Sequence, residues 1–155
     1  YELACGLQIG KQTVNAIYDW DNYSTYYHKD LLGANNNIII SSPVISGPKV
    51  YDLINLLKEK QMSGVQITIV TWAPDSYRFG DAAYWMQLHE DMRQAGFYIK
   101  TVEESCERFA VIDQEVVWYG NINLLAKDKV DDSIMRVLSK EIASELMEIT
   151  FGDNG

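Results

Sequence analysis

Cysteine and histidine are scarce in this chain. Of 155 residues, two are cysteine and two are histidine. Cys5 and Cys106, taken with His28 and His89, fit none of the usual zinc spacings, so no metal and no cofactor are expected. Two distant cysteines make no disulfide framework, and reduced thiols in a cytoplasmic protein are the default reading. Long apolar runs are missing as well. The three isoleucines after Asn37 fall far short of the ~18 residues of a membrane helix, so no membrane span is expected. Basic charge is the third shortage: 13 Lys and Arg face 22 Asp and Glu, a net charge of −9. That balance argues against tight non-specific binding to nucleic acid, which needs a basic patch. A local basic rim stays compatible with it, because net charge does not set local potential.

The chain has enough apolar side chains to fold. Hydrophobic residues make up 47% and charged residues 23%, and there is no repeat or low-complexity tract, so one domain with one core is expected. Residues 1–20 form a lead-in in which Leu7, Ile9, Val14 and Ile17 fit an edge strand or an entry helix equally. Residues 21–150 form the domain, and 151–155 a tail. No signal-peptide pattern opens the chain. Its start at Tyr1 and its Gly-Asp-Asn-Gly end are read as those of a piece of a longer polypeptide, with other domains as partners.

Periodicity places the elements. A helix is predicted over 21–34, capped by Asp21 or Ser24, with Tyr23, Tyr26, Tyr27 and Leu31 on one stripe and Gly33 at its end. Asn35, Asn36 and Asn37 make a turn, and 37–42 is an apolar strand buried on both faces. Pro48 starts a helix, with Val50, Leu53, Ile54 and Leu57 inward, up to Gly64. Residues 65–71 are a second strand and 72–80 an aromatic loop. A helix over 81–95 turns Ala83, Met86, Leu88 and Met92 inward, and 97–101 is a third strand. Ser139 caps a last helix carrying Ile142, Leu146 and Ile149. Alternating strands and helices mean an α/β sandwich, with helices on both faces of a sheet made mixed by a closing hairpin.

That hairpin, residues 106–123, holds the chemistry. Alternation along 106–112 would put Cys106, Arg108, Ala110 and Ile112 on one face, and Phe109 and Val111 on the other. Asp113, Gln114 and Glu115 link it to a β-prone run over 116–119. A turn at Gly120 would then bring Asn121 and Asn123 back beside Cys106 and Arg108. A thiol, a guanidinium and two carboxamides at strand ends would make a small polar pocket. The aromatic loop, with Trp72, Tyr77, Arg78 and Phe79, lies at the strand-end rim and is the second candidate site.

The spacing C-x-R-x4-D-x6-G-N-x-N over these residues resembles the phospholipase D superfamily motif, H-x-K-x4-D-x6-G-[SG]-x-N. Cys106 stands in the place of His, Arg108 in that of Lys, and Asp113, Gly120 and Asn123 match. Asn121 replaces Ser or Gly, and Asp131-Asp132 falls near an acidic position of family nucleases. The resemblance implies the family's α/β sandwich and, for a single motif, pairing as a homodimer. It also implies a phosphate site of Arg108, Asn121 and Asn123 in a domain of the kind appended to helicase- or nuclease-like proteins. In the resembled enzymes a histidine attacks phosphorus and its partner protonates the leaving group. Cys106 has the nucleophile's place, but a thiol is a poor substitute for a general acid. The reading is therefore a non-catalytic module that docks nucleic acid or another phosphate-containing ligand. An active phosphodiesterase or nuclease using Cys106 or a partner-chain residue is the second reading, and a structural dimerisation domain the third. Each residue has a plainer role beside the functional one: Cys106 as a small buried residue, Arg108 paired with Glu103, Glu104 or Asp132, Asp113 as a turn cap. His28 and His89 are taken as surface or half-buried.

Overall fold

Apolar runs of strand length alternate with helical stripes, and the chain closes into one sheet flanked by helices. The computed structural model describes residues 16–73, 82–103, 106–126 and 132–152. Their elements are β1 (Ala16–Asp19), α1 (Tyr23–Leu32), β2 (Asn37–Ser41), α2 (Gly47–Met62), β3 (Gln66–Trp72) and α3 (Ala82–Gln94). After them come β4 (Tyr98–Val102), β5 (Phe109–Ile112), β6 (Val116–Gly120), β7 (Ser133–Leu138) and α4 (Lys140–Phe151). The sheet order is β1-β7-β6-β5-β2-β3-β4. Strands β2, β3 and β4 are parallel, joined by helical crossovers. Strands β5, β6, β7 and β1 join antiparallel, so the hairpin does make the sheet mixed.

Each face of the sheet has its own core. On one face Ile38, Ile40, Ile67, Ile69, Ala110 and Ile112 pack against Tyr23, Tyr27 and Leu31 of α1, Val50, Leu53 and Leu57 of α2, and Leu88 and Met92 of α3. On the other, Ile39, Val70, Phe109, Val111 and Val117 meet Ala143 and Leu146 of α4. Strand β2 lies inside the sheet, between β5 and β3, and Ile38, Ile39 and Ile40 are all buried. Burying such a side chain contributes about 2 kcal/mol of transfer free energy. The helices on both faces are thus three against one.

Several expectations need correction. The open question over 1–20 resolves at its end as an edge strand, β1, while Leu7, Ile9 and Val14 lie outside the described residues. Helix α1 begins after Asn22, without a side-chain cap from Asp21 or Ser24. The turn before it is tied by Asp19, whose Oδ1 accepts from the N–H groups of Asp21 and Asn22. Tyr23, Tyr27 and Leu31, at i, i+4 and i+8, take the core. Tyr26 falls on the flank, 48% exposed, and stacks on Tyr18 at 4.8 Å. On α3, Ala83 and Met86 face out, and Leu88, His89 and Met92 face in. His89, expected at the surface or half-buried, is 1% exposed.

Trp72, predicted in a loop, is the last residue of β3 and pairs with Val102. Strand β7 was not predicted at all. Arg136 interrupts its apolar pattern, and only the tertiary fold explains it: Nε and Nη2 donate to Asp30 on α1 at 2.6 and 3.0 Å. Asp30 also accepts from Trp118 Nε1 at 2.8 Å.

Candidate functional site

Parallel strands and the antiparallel hairpin bring the ends of β2, β3 and β6 to the same side as the start of β5. Ser41 and Ser42 close β2 there, polar and almost wholly buried. Ser42 Oγ donates to Val44 O at 2.7 Å and accepts from Leu125 N at 3.2 Å. Ser46 N donates to Leu125 O at 2.7 Å. These bonds moor the segment after β6 to the end of β2 and the start of α2, which places Asn123. Its Oδ1 accepts from Arg108 Nε at 3.0 Å. Arg108 and Asn123, predicted to share a pocket, are in contact. Among the described residues no carboxylate lies within ion-pair distance of Arg108. Pairing with Glu103 or Asp132 is thereby absent, and Glu104 lies outside the described residues.

Cys106 does not share the face of Ala110 and Ile112. Strand pairing starts only at Phe109, so strict alternation does not reach back to residue 106. The thiol packs instead on the core under α4, with Sγ 3.5 Å from Ser41 Oγ. Ser41 Oγ donates to Glu107 O at 2.6 Å, which pins the backbone beside the thiol. Burial pushes the Cys106 thiol up, and the Ser41 hydrogen bond and the Arg108 charge offset this only in part. A thiol held neutral is a weak nucleophile. His28 and His89 sit on α1 and α3, which pack on the other face of the sheet. Neither forms a described hydrogen bond to Cys106.

Gly120 makes no left-handed turn. It ends β6 and pairs with Ile134. A Cβ there would lie 2.7 Å from Ile134 Cα and against Ser133 O, so glycine is required by close approach of two backbones. Asn121 is consequently directed to β7. Its Oδ1 accepts from Ser133 N at 2.9 Å and its N–H donates to Ser133 O at 3.1 Å.

Asp113 lies at the opposite end of β5 from Arg108. Its Oδ1 accepts from the N–H groups of Asn35, Asn36 and Asn37 at 3.2, 2.7 and 3.1 Å. It caps the turn between α1 and β2, a longer-range version of the plain role expected of it. Trp72 and Asp132 are half-buried at the sheet end, and Asp132 contributes its carbonyl to Trp20 N at 3.1 Å. Tyr77, Arg78 and Phe79 of the aromatic loop, with Asp131, lie outside the described residues.

Two features of the site escaped the sequence reading. One is the Ser41–Ser42 pair, whose signal was two hydroxyls closing a wholly apolar strand. The other is Tyr119, whose hydroxyl donates to Glu107 Oε1 at 2.7 Å. Hairpin register alone places that pair, because Phe109 opposite Tyr119 sets Glu107 on the diagonal. Among the described residues no group of three potential metal ligands gathers, and no described helix is long and apolar enough to cross a membrane.

Several solved structures share this architecture. A phospholipase D family member, Nuc from Salmonella typhimurium, superposes with a TM-score of 0.69 at 13% identity, over 89% of this chain and 91% of that one. NucT from Helicobacter pylori gives 0.67 at 9% identity, over 90% and 94%. TrmBL2, an archaeal chromatin protein, gives 0.60 at 12% identity, over 92% of this chain but 52% of its own. No curated protein sequence matches the chain. The family model described as "Cardiolipin synthase, PLD-like domain" matches residues 27–151. The match takes in every element from within α1 to α4, and the chain belongs to the phospholipase D-like domain family.

Proposed function

We propose that this domain docks a phosphate-containing ligand, a nucleic acid strand foremost, without cleaving it. The observation that carries the reading is the contrast within the site. Arg108 is oriented by Asn123 through Nε alone, with no described carboxylate on it, while the nucleophile's position holds a half-buried thiol whose pKa burial pushes up. A guanidinium so held offers its remaining N–H groups to phosphate oxygens. The fold-level likeness to a chromatin protein whose structure is described as showing a novel mode of DNA binding favours nucleic acid as ligand. The net charge of −9 points to weak, local docking. The same reading includes a homodimer acting as a module of a larger protein, with Ile17 and Met135 exposed side by side on β1 and β7 as an apolar surface.

The second reading, an active phosphodiesterase, draws on the Cys106–Arg108 neighbourhood. One experiment separates them. The domain is titrated at low salt with short single- and double-stranded oligonucleotides and inorganic phosphate, with phosphodiester cleavage followed in the same samples. Arg108→Ala is expected to weaken binding about 10-fold or more, the worth of a charged hydrogen bond, with no cleavage in either protein. Cleavage that disappears in Cys106→Ser would restore an enzyme. Neither binding nor cleavage by the folded domain would leave a structural dimerisation domain.

A further inference from the structure

The sheet face under α4 is only partly covered among the described residues. Helix α4 packs with Ile39, Val70, Phe109, Val111 and Val117, and the β3–β4 side stays open. There Asn37 pairs with Gln66, and Ile39, Thr68 and Tyr98 form a cross-strand row, so these side chains share the α4 face. Gln66 is exposed, and Tyr98 is 59% exposed. Two hollows lie along this side, at the end of β5 remote from Arg108. One, of about 820 Å³, is walled by the Asn35–Asn36 turn and by Ser144 on α4. The other, of about 430 Å³, is lined by Gln66, Tyr98 and Phe151. Gln114 and Met147 line both, so the two join into one groove. Each is of ligand-pocket size, ordinarily about 300–1,000 Å³.

Carboxamides dominate the polar lining. Asn35, Asn36, Asn37, Gln66 and Gln114 all contribute, and no side-chain hydrogen bond is described for any of them. Asn37 Oδ1 is buried without a partner, and Gln114 has φ 57° in a turn that suits glycine better. Both residues cost the fold stability and return no described contact to it. The charges nearby are engaged. Asp113 accepts from backbone N–H groups, Lys140 stands 4.0 Å from Glu115, and Lys100 lies over the Phe151 ring at 5.9 Å. Such a groove suits a neutral ligand.

We propose that this groove binds a neutral oligosaccharide, independently of the docking site at Arg108. A carboxamide both donates and accepts hydrogen bonds, as a sugar hydroxyl does. The carboxamides come from separate segments: the turn before β2, the starts of β2 and β3, and the β5–β6 turn. A sugar ring carries hydroxyls around its rim and meets partners from several sides, whereas a nucleobase carries polar atoms only on its free edges. Tyr98 supplies an open aromatic ring for the apolar C–H face of a sugar. Strands β1 and β4 are opposite edges of the sheet, so the groove is separate from the apolar surface of Ile17 and Met135.

The test titrates the protein with maltotriose, cellotriose and chitotriose, and with adenosine and cytidine, while NMR follows the side-chain amide signals of its carboxamides. At least one trisaccharide is expected to shift the signals of Gln66 and Gln114 at millimolar concentration, and the nucleosides are expected to leave them in place. Gln114→Gly is expected to weaken that binding about five-fold, the worth of one hydrogen bond, while its urea midpoint rises. Lost binding in this variant is then not a loss of fold. Tyr98→Ala is expected to weaken binding by a similar factor, and Arg108→Ala to leave it unchanged. Wild-type affinity in both Gln114→Gly and Tyr98→Ala, or lost affinity in Arg108→Ala, would put the sugar elsewhere and overturn the proposal. No response to any of the three trisaccharides would overturn it too. Nucleosides that shift these signals where the sugars do not would make the groove a base-binding one and overturn it equally. None of these results bears on phosphate docking, which Arg108→Ala tests by itself.

Discussion

His89 is the residue at which burial and chemistry are most at odds. Its imidazole is 1% exposed, and neither ring nitrogen has a hydrogen-bond partner. Burial, with the nearby Arg93 charge, lowers its pKa below the ordinary 6.5. The folded state therefore refuses a proton that the unfolded chain accepts. Stability should be full above pH 6.5 and fall as the pH drops from there toward the folded-state value, by at most about 1.4 kcal/mol per unit. His28, also lowered, acts in the same direction. Urea unfolding at pH 7.5 and 5.5 is expected to show a smaller loss in His89→Leu than in the wild type. An equal loss in both would mean that His89 titrates normally. Gly120 is governed by space. Gly120→Ala should cost about 2 kcal/mol or more, because the clash is with the backbone of β7, which cannot rotate aside. A midpoint within experimental error of wild type would show that β6 and β7 can part without cost.

At the scale of elements, the hairpin between β5 and β6 matters most. Asp113 and Gln114 both have positive φ, 55° and 57°, as a type I′ turn requires. Neither is glycine. Asp113 is retained there for its side chain, which gathers three N–H groups from the turn before β2. Gln114 has no described side-chain bond that would offset the strain. Gln114→Gly is therefore expected to stabilise by about 1 kcal/mol, read as a higher urea midpoint with an unchanged slope. Asp113→Ala should destabilise by about 2–3 kcal/mol, since charge-assisted bonds are lost and amide donors are left unpaired. If Asp113→Ala unfolds like the wild type, those N–H groups find water and the cap carries no weight. This hairpin was legible in the sequence, down to its polar link. Its long-range partner was not, because nothing local in 106–123 refers to Asn35–Asn37, which β2–β5 pairing brings alongside.

For the molecule as a whole, charge sets the expectation for binding. With a net charge of −9 and one oriented guanidinium at the site, oligonucleotide affinity should fall only gently with salt. A log–log slope near −1 is expected, as for about one neutralised phosphate. A slope of −3 or steeper in a titration from 50 to 200 mM salt would reveal a broader basic surface and enlarge the site beyond Arg108. The α/β class, the Pro48-started helix, the buried run of β2 and the motif interval from Cys106 to Asn123 all follow from local pattern, because periodicity and turn chemistry act over a few residues. Face, register and partner were decided only when the sheet formed. Cys106 left the strand's alternation because pairing begins at Phe109, and Asn121 went to Ser133 because β7 lies against Gly120. His89 was buried by the side of α3 that met the core. Each of these outcomes depends on contacts between residues far apart in the chain, and such contacts leave no mark on the spacing of their neighbours.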